Sequence, residues 1–289
     1  MSETVSVKLI HAHRDRFAQL TICFVAFLVC AAFVWIVSDL VRGGWAHLSW
    51  DFLVDSPRDA GRAGGIGPIL VSTALILLIA LMAALPLGWM TAALLAEYVS
   101  ASGGFGYAVR YSLQVLAGVP SIVFGLFGNA FFSIYLGMGF SILSGGLTLA
   151  CMLLPILVST AESGLRAVPD AYRLSAAALG MSRATTLFRL LLPAAAPALA
   201  AGLLLGIGRA MAETAALLFT SGYVDRMPGS LLDSGRSLAI HIFDLSMNVS
   251  GGDAPAHASA LVLIVALLLI NMVAMWFTIG WQRRRIVSE

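Results

Sequence analysis

Long runs of apolar residues dominate this chain, and short polar segments separate them. A helix needs about 20 apolar residues to cross the hydrocarbon core of a bilayer, and six runs have about that length. They lie at 17–41, 67–96, 112–136, 145–165, 198–221 and 258–281. The pattern predicts an all-α, polytopic membrane protein of about six transmembrane helices. Its transmembrane domain would cover 17–281, between an N-terminal tail at 1–16 and a C-terminal tail at 282–289.

The polar segment between the fourth and fifth runs has a helix–glycine–helix pattern. Asp170 suits the first turn of a helix, and Gly180 suits its end because glycine readily adopts the left-handed conformation found there. Ser182 is a typical N-cap and predicts a second short helix that stops before Pro193. The small side chains at 176–178 leave a smooth surface that can enter a groove on another protein. The segment is therefore predicted to be a docking element.

Composition supports the membrane assignment and excludes other classes. The chain is 60% hydrophobic and 11% charged, too few charged residues to cover a water-soluble domain of this size. Its net charge of +2, without a basic stripe, argues against nucleic-acid binding. The three cysteines, Cys23, Cys30 and Cys151, lie within apolar runs and do not form a disulfide framework or a metal-binding motif.

Basic residues are distributed unevenly between the two sides of the predicted bundle. An even number of spans places both ends of the chain on one side, which then holds eleven Lys and Arg residues against five on the other. Because segments rich in Lys and Arg remain in the cytoplasm, we expect both termini to be cytoplasmic.

The sequence also excludes some chemistry. A P-loop requires a lysine within GxxxxGK[ST], and the only lysine is Lys8. All five histidines lie outside the predicted spans and none belongs to an HExxH motif, which argues against an intramembrane metalloprotease. We therefore expect no enzyme activity and no metal site in this chain. If it drives uphill transport, a partner ATPase or an ion gradient supplies the energy.

Two charged residues fall within the fifth predicted span. Arg209 and Glu213 are four residues apart, so on a continuous helix they would share one face and could pair. A charge at membrane depth costs about 2.5–3.5 kcal/mol on insertion scales, so such residues usually face a pathway or a partner. The guanidinium of arginine also suits an oxyanion. A structural ion pair that holds helices together is the alternative, and a pathway or gating role is favoured.

Several other features have a plain structural explanation. Gly118 and Pro120 could form a gate hinge in the third run, although close helix packing is the favoured explanation for glycines within the spans. Glu97 and Glu162 lie near the ends of spans, where a carboxylate is often simply solvated. The glycine-rich stretch 61–67 suggests a phosphate-binding nest, but no strand precedes it and a plain loop is favoured.

Four segments carry a resemblance to a known family. They are LLAEY at 94–98, LAGVPSIVFGLFG at 116–128, VPDAYRLSAAALG at 168–180 and RAMAETAALLFTSG at 209–222. Together they resemble the PstA-type membrane permease of bacterial high-affinity phosphate ABC importers, over about 50–280. The third segment resembles the EAA loop, which docks on the ATPase in many ABC importers. The second and fourth are the segments specific to phosphate permeases.

The resemblance implies a fold, an activity and partners. The fold would be the type I ABC-importer permease (MetI-like) architecture, with a coupling loop at 166–196. The activity would be phosphate import, in which ATP and Mg are bound by a partner and this chain holds no cofactor. The partners would be a homologous PstC-type permease, two PstB-type ATPase subunits, a periplasmic PstS-type phosphate-binding protein and membrane lipid.

The resemblance also implies roles for individual residues. Arg209 and Glu213 would line the path of phosphate. The expected ATPase contacts are Asp170, Arg173, Ala176, Ala177 and Gly180.

Three positions depart from the family pattern. Leu174 occupies the position of the acidic residue that names the EAA loop, which would weaken a contact with the ATPase. Ala212 and Ala216 replace the usual Gly and Pro of the fifth-span motif, so a straighter, less hinged helix is expected there.

Alternative functions remain open from the sequence. A permease for another oxyanion or for a phosphonate would share these motifs. A secondary transporter should contain two similar halves with broken helices, and no such repeat is evident in the sequence. A membrane enzyme should cluster polar groups within its spans, where only Arg209 and Glu213 are found.

Overall fold

The computed structural model describes residues 2–100 and 103–286, and side chains between 19 and 276 within those ranges. Helices account for most of the described residues. A short antiparallel hairpin pairs β1 (Pro57–Arg58) with β2 (Ala63–Gly64), in the glycine-rich stretch predicted to be a loop. The helices are α1 Ser2–Gly44, α2 Trp50–Val54, α3 Gly67–Ala93, α4 Gly104–Ala117, α5 Ser121–Gly128, α6 Ile142–Arg166, α7 Asp170–Ala178, α8 Arg183–Thr186, α9 Leu192–Met211, α10 Ala215–Leu218, α11 Leu238–Met247 and α12 Asp253–Ile286.

Short π-helical segments extend or join three of these helices. Leu94–Tyr98 continues α3, Asn129–Tyr135 continues α5, and Leu187–Leu191 joins α8 to α9. Among the described residues, five helical segments are long and apolar enough to cross a membrane, and α4 with α5 forms a sixth if this bent pair is counted as one span. The five are Gln19–His47, Gly67–Tyr98, Ile142–Arg166, Arg183–Met211 and Asp253–Trp276.

The run 112–136 was predicted to form one span. In the structure this stretch is divided between two helices. The chain bends by 101° between α4 and the segment Ser121–Tyr135. Gly118 ends α4 and Pro120 precedes α5, so the predicted hinge residues occupy the bend itself. Proline lacks an N–H and disfavours helical conformation in the residue before it, so a continuous helix cannot pass through this position without disruption.

The fifth predicted span, 198–221, also differs from the structure. Its helix begins at Arg183 and continues through Pro193, which lies just after the π-helical segment Leu187–Leu191. The second half of the predicted docking element is therefore the first part of this span. The helix ends at Met211, and α10 follows after a break, so the expectation of a straight, less hinged helix is wrong.

Spans α3 and α6 form the centre of the bundle. Ile76, Ala80 and Ala84 of α3 pack against Leu153 and Leu157 of α6 in the main apolar core. Small residues allow other helices to approach closely, which is how helices associate in a bilayer that offers no hydrophobic driving force. At Gly202 of α9, for example, an added Cβ would collide with Thr160. The packing role expected of glycines within the spans is confirmed at Gly202, whereas Gly208 on the same helix has no neighbour within 4 Å of an added Cβ.

The two ends of the bundle differ in construction. At the end where α3 and α6 begin, α2 and α11 fold over the spans around a small core that contains Phe52, Ile66 and Leu238. At the opposite end, the π segment of α3 meets the end of α6 and the docking element α7–α8. Helix α1 packs along α12, and the side chains in the apolar part of α1 are not buried within this chain.

Candidate functional site

The two broken spans meet where their second halves begin. Helix α5, after the bend, packs against the short helix α10. A Cβ added to Gly125 would lie 2.9 Å from the Cα of Ala216, so the two backbones are nearly in contact. Ala216 stands where the related motif has proline, and it forms this contact. The junction of α5 and α10 joins both chain breaks within the membrane-spanning region.

Glu213 lies in the break between α9 and α10. Its side chain is buried, with 8% of the residue exposed, and its Oε1 accepts a hydrogen bond of 3.1 Å from the N–H of Ala216. The carboxylate thus satisfies one of the free N–H groups at the start of α10, as a capping side chain does. A side chain that bonds its own backbone competes with helix formation, and this bond accounts for a break despite Ala212 and Ala216.

Arg209 lies in the last turn of α9 and is exposed. A Cβ at Gly206, one turn earlier, would lie 3.6 Å from Leu157 in the interior of α6, which places Arg209 at membrane depth. Within the described part of the chain, no acidic side chain is within 4.0 Å of its guanidinium. The predicted pairing with Glu213 is therefore wrong, because the helix ends between the two residues and they do not share a face.

The docking element has the local structure that its caps predicted. Helix α7 covers Asp170–Ala178, and Gly180 adopts the left-handed conformation with φ of +68°. Ser182 caps α8, since its hydroxyl accepts the N–H of Thr185 at 3.2 Å. The element therefore consists of a nine-residue helix, a glycine turn and the start of the fifth span.

The two faces of α7 have different environments. Ala176 is 1% exposed and packs inward, so the prediction that it contacts a partner is wrong for this arrangement of the chain. Ala177 and Gly180 are exposed. Leu174 is also exposed, at 71%, although leucine replaces the expected acidic residue there. The surface available to a partner is consequently apolar and centred on Leu174, Ala177 and Leu179.

Arg173 was expected to contact a partner, but its side chain turns toward its own chain. Its Nη2 and Nε donate to the two carboxylate oxygens of Glu97 at 2.7 and 3.1 Å. It also reaches Asp170 at 3.2 Å. The hydrogen bond that Arg173 donates to Glu97 is the main factor that raises the pKa of the Arg173 guanidinium above its ordinary value. Arg173 therefore joins α7 to the end of α3.

A second ion cluster lies beside the first. The Oε1 atom of Glu162 accepts hydrogen bonds from Arg110 at 2.8 Å and from Arg166 at 2.9 Å. Both arginines also donate to the backbone carbonyl of Leu95, at 3.2 and 2.7 Å. That carbonyl belongs to the last turn of a helix, where oxygen atoms lack intrahelical partners and cations are favoured. The interpretation of Glu97 and Glu162 as solvated carboxylates is wrong.

A third cluster, at the opposite end of the bundle, had no signal in the sequence. Arg236 donates to the carbonyl of Tyr223 at 2.9 Å and lies 3.2 Å from the carboxylate of Asp244. His241 is 1% exposed, and its Nδ1 is 3.4 Å from Arg236. Burial, and then the charge of Arg236, lower the pKa of His241 to about 4. This histidine is neutral at physiological pH.

Within the described residues, no three His, Cys, Asp or Glu side chains are grouped so as to hold a metal ion. The three clusters are instead organised around arginines, which suit anions and carboxylates.

Solved structures with a similar fold define the class of protein. Inward-facing conformations of the MetNI methionine ABC transporter match with a TM-score of 0.58 and 15% identity, covering 75% of this chain and 94% of that one. An amino acid ABC transporter crystallised with histidines matches with a TM-score of 0.52 and 18% identity, covering 73% and 91%. The fold is that of a type I ABC-importer permease.

The family follows from a sequence match. Residues 84–286 match the family described as binding-protein-dependent transport system inner membrane component, and the chain belongs to that family. It is therefore a multi-pass inner-membrane transport subunit that works with an ATPase and a substrate-binding partner.

Curated relatives cover most of this chain. The phosphate transport system permease protein PstA of Mycobacterium leprae is 34% identical, over 90% of this chain and 88% of its own length. A probable ABC transporter permease protein, YqgI of Bacillus subtilis, is 30% identical over 87% and 90%. A probable phosphate transport system permease protein PstA of Methanocaldococcus jannaschii is 31% identical over 72% and 73%.

Proposed function

We propose that this chain is the membrane-spanning permease subunit of an ATP-driven importer of inorganic phosphate. The observation that carries the proposal is its 31–34% identity, over most of the chain, to permeases that are described as phosphate transport proteins. The fold supports an importer permease but does not identify the substrate. The chain would translocate phosphate without a covalent step, and a PstB-type ATPase pair would bind ATP and Mg.

The apolar surface of α7 is the proposed contact with the ATPase. Leu174 and Leu179 extend from the chain with most of their surface exposed, and Ala177 lies between them in sequence. Asp170 and Gly180 are exposed at the two ends of this surface. Exposed apolar side chains of this kind usually mark a protein interface. Closure of the ATPases would then push on α7 and tilt the spans that frame the path.

The junction of the two broken spans is the proposed transport path. A phosphate ion that enters a region of low dielectric needs a cation to offset its lost hydration, and Arg209 carries such a charge at membrane depth. Because Arg209 has no acidic partner within 4.0 Å among the described residues, its N–H donors are available to an oxyanion. Glu213 would hold the short helix α10 in place, and the bend at Gly118–Pro120 would act as the gate hinge.

The complete importer would contain a PstC-type second permease and a periplasmic PstS-type phosphate-binding protein. The uncovered surface of α1 and the exposed half of the bundle are available to that permease and to lipid. Both termini would be cytoplasmic, which places α7 on the same side as the ATPase.

Uptake of radiolabelled phosphate tests the proposal. The chain is expressed with a PstC-type permease, a PstB-type ATPase and a PstS-type binding protein in a bacterial strain that lacks its own phosphate transporters. We expect saturable uptake that Arg209→Gln lowers by about tenfold or more, since a hydrogen bond to a charged group contributes about 1.5–3 kcal/mol. Arg42→Gln, at the exposed end of α1, is the control and should transport normally.

Competition distinguishes phosphate from the other candidate substrates. If a phosphonate or sulfate supports uptake while phosphate neither enters nor competes, the chain is a permease for that other anion. Normal phosphate uptake by Arg209→Gln, at matched expression, would contradict the role of Arg209 in the path but not the substrate assignment.

A further inference from the structure

We propose that Arg173 and Glu97 form a clamp that carries the motion of α7 into span α3, so that Arg173 is a positioning residue for transport and not a contact with the ATPase. This inference rests on the proposed function, because it assumes that an ATPase moves α7. It assigns to these two residues a role distinct from docking and from the substrate path.

The guanidinium of Arg173 has an acceptor for each of its hydrogen-bond donors. Its Nε and Nη2 bind the carboxylate of Glu97, and Nη2 also donates to the carbonyl of Leu165 at 2.9 Å. Its Nη1 donates to the carbonyl of Val168 at 2.8 Å and to Asp170. Arginine has five N–H donors in a fixed planar arrangement. One side chain therefore joins α7 to the end of α3 and the end of α6.

The ion pair within the clamp is largely shielded from water. The Arg173 side chain is 25% exposed and the Glu97 side chain is 13% exposed. By contrast, Asp170 is 88% exposed and lies one turn from Arg173 on the same helix, so its contact adds no link between elements. Ion pairs that are partly buried are screened less by salt than exposed ones. The contact with Glu97 is thus the part of the arrangement that can transmit force between helices.

Little else holds α7 to the spans. Ala176 is the one buried residue of this helix. Leu174, by contrast, faces outward with most of its surface free. A short helix with a single buried methyl side chain needs a polar contact to keep its position against the bundle. A push on its outer face reaches α3 through Arg173.

The neighbouring cluster extends the connection from α3 to two other spans. Arg110 and Arg166 both bind Glu162 and the carbonyl of Leu95, which is two residues before Glu97. Arg166 and Glu162 belong to α6, and Arg110 belongs to α4, which leads into the bend at Gly118–Pro120. The end of α3 is therefore fixed to α6 and α4. A displacement of α7 would move these three helix ends together and act on the proposed hinge.

A double-mutant cycle tests the clamp. The variants Glu97→Gln, Arg173→Gln and their combination are reconstituted in proteoliposomes with the ATPase, the second permease and the binding protein. Phosphate transported per ATP hydrolysed, and ATPase stimulation by the binding protein, are measured together with the amount of assembled complex. Each single change should lower both readouts about fivefold or more, the lower end of typical coupling between sites. The double variant should be no worse than either single variant, because all three lack the same contact.

Two further variants separate the clamp from simple effects on charge. Arg173→Lys keeps the positive charge but cannot bind all five acceptors, so it should also uncouple. Arg62→Gln is the control, because its ion pair with Asp59 is exposed and lies within one turn of a loop at the other end of the bundle. It should leave both readouts unchanged.

Three results would contradict the proposed role of Arg173 and Glu97. One is normal coupling in both single variants. A second is loss of assembled complex while the transport-to-ATP ratio of the remaining complex is unchanged, which indicates a purely structural role. A third is a double variant whose defect equals the product of the two single defects. If the unmodified complex transports no phosphate at all, the proposed substrate is wrong, and the clamp is still decided by ATPase stimulation.

Discussion

The buried histidine at the end of the bundle where α3 and α6 begin makes the stability of this region depend on pH. His241 lies in α11 with 1% of its surface exposed, beside Arg236. Burial and this arginine lower its pKa to about 4, although Asp225 and Asp244 partly oppose them. A histidine in an unfolded segment has a pKa of about 6.5. At a pH between these two pKa values, the histidine of the unfolded segment binds a proton and that of the folded segment does not.

The sign and size of the effect follow from that difference. Because the unfolded state binds more protons in this range, stability is complete above about pH 6.5 and falls as the pH is lowered toward 4. Each pH unit in the range costs about 1.4 kcal/mol. At pH 5 the free energy of opening α11 should therefore be lower by about 2 kcal/mol, which increases the open population roughly 30-fold.

Hydrogen exchange measured by mass spectrometry can detect this change. Amides of 238–247 are followed in the purified complex at several values between pH 7.5 and 5, with correction for the intrinsic exchange rate. Protection should fall as the pH is lowered, and His241→Gln should remove most of that dependence. His47→Gln, an exposed histidine in the turn after α1, is the matched control and should retain it.

The reasoning is refuted by either of two outcomes. Protection of 238–247 could stay constant or rise between pH 7.5 and 5. Alternatively, the same loss of protection could persist in His241→Gln, in which case the acidic residues of the region and not the histidine determine the pH dependence.

The remaining predictions concern docking and orientation. Ala177→Arg should weaken pull-down of the ATPase tenfold or more, because a charge enters the centre of an apolar contact, whereas the small uncharged replacement Ala177→Ser should retain binding. Equal binding by Ala177→Arg and the unmodified chain would mean that α7 docks elsewhere. In a background without the native cysteines, an impermeant thiol reagent should label Leu232→Cys in spheroplasts and spare Arg183→Cys. The reverse labelling would invert the proposed topology.

The spans were predictable because burial in a bilayer depends mainly on length and apolar composition, which the sequence displays directly. Breaks within spans depend on particular contacts and were harder to locate. Pro120 indicated its own bend, since proline disrupts a helix through its covalent structure. The break at Glu213 depends on a side chain that bonds the N–H of Ala216, and the replacement of Gly and Pro by alanine suggested the opposite.

The docking element shows the same division between local and distant interactions. Its caps at Ser182 and Gly180 were predictable because each acts within four residues along the chain. The contact between Arg173 and Glu97 joins residues 76 positions apart, and no periodicity connects them. The pair of Glu162 and Arg166, spaced by one helical turn, could have been recognised from the sequence.

The separation of Arg209 from Glu213 changes what each residue requires of its surroundings. A paired Arg and Glu would offset one another's charge within the chain, and neither would need a partner outside it. In this structure Glu213 is engaged by the backbone of α10, and Arg209 has no acidic neighbour within 4.0 Å in the described residues. A cation at membrane depth without such a partner is costly. The offset comes from outside the chain, from water, from the second permease or from the transported anion. The proposed path would supply it through the anion, and phosphate uptake by Arg209→Gln tests that role.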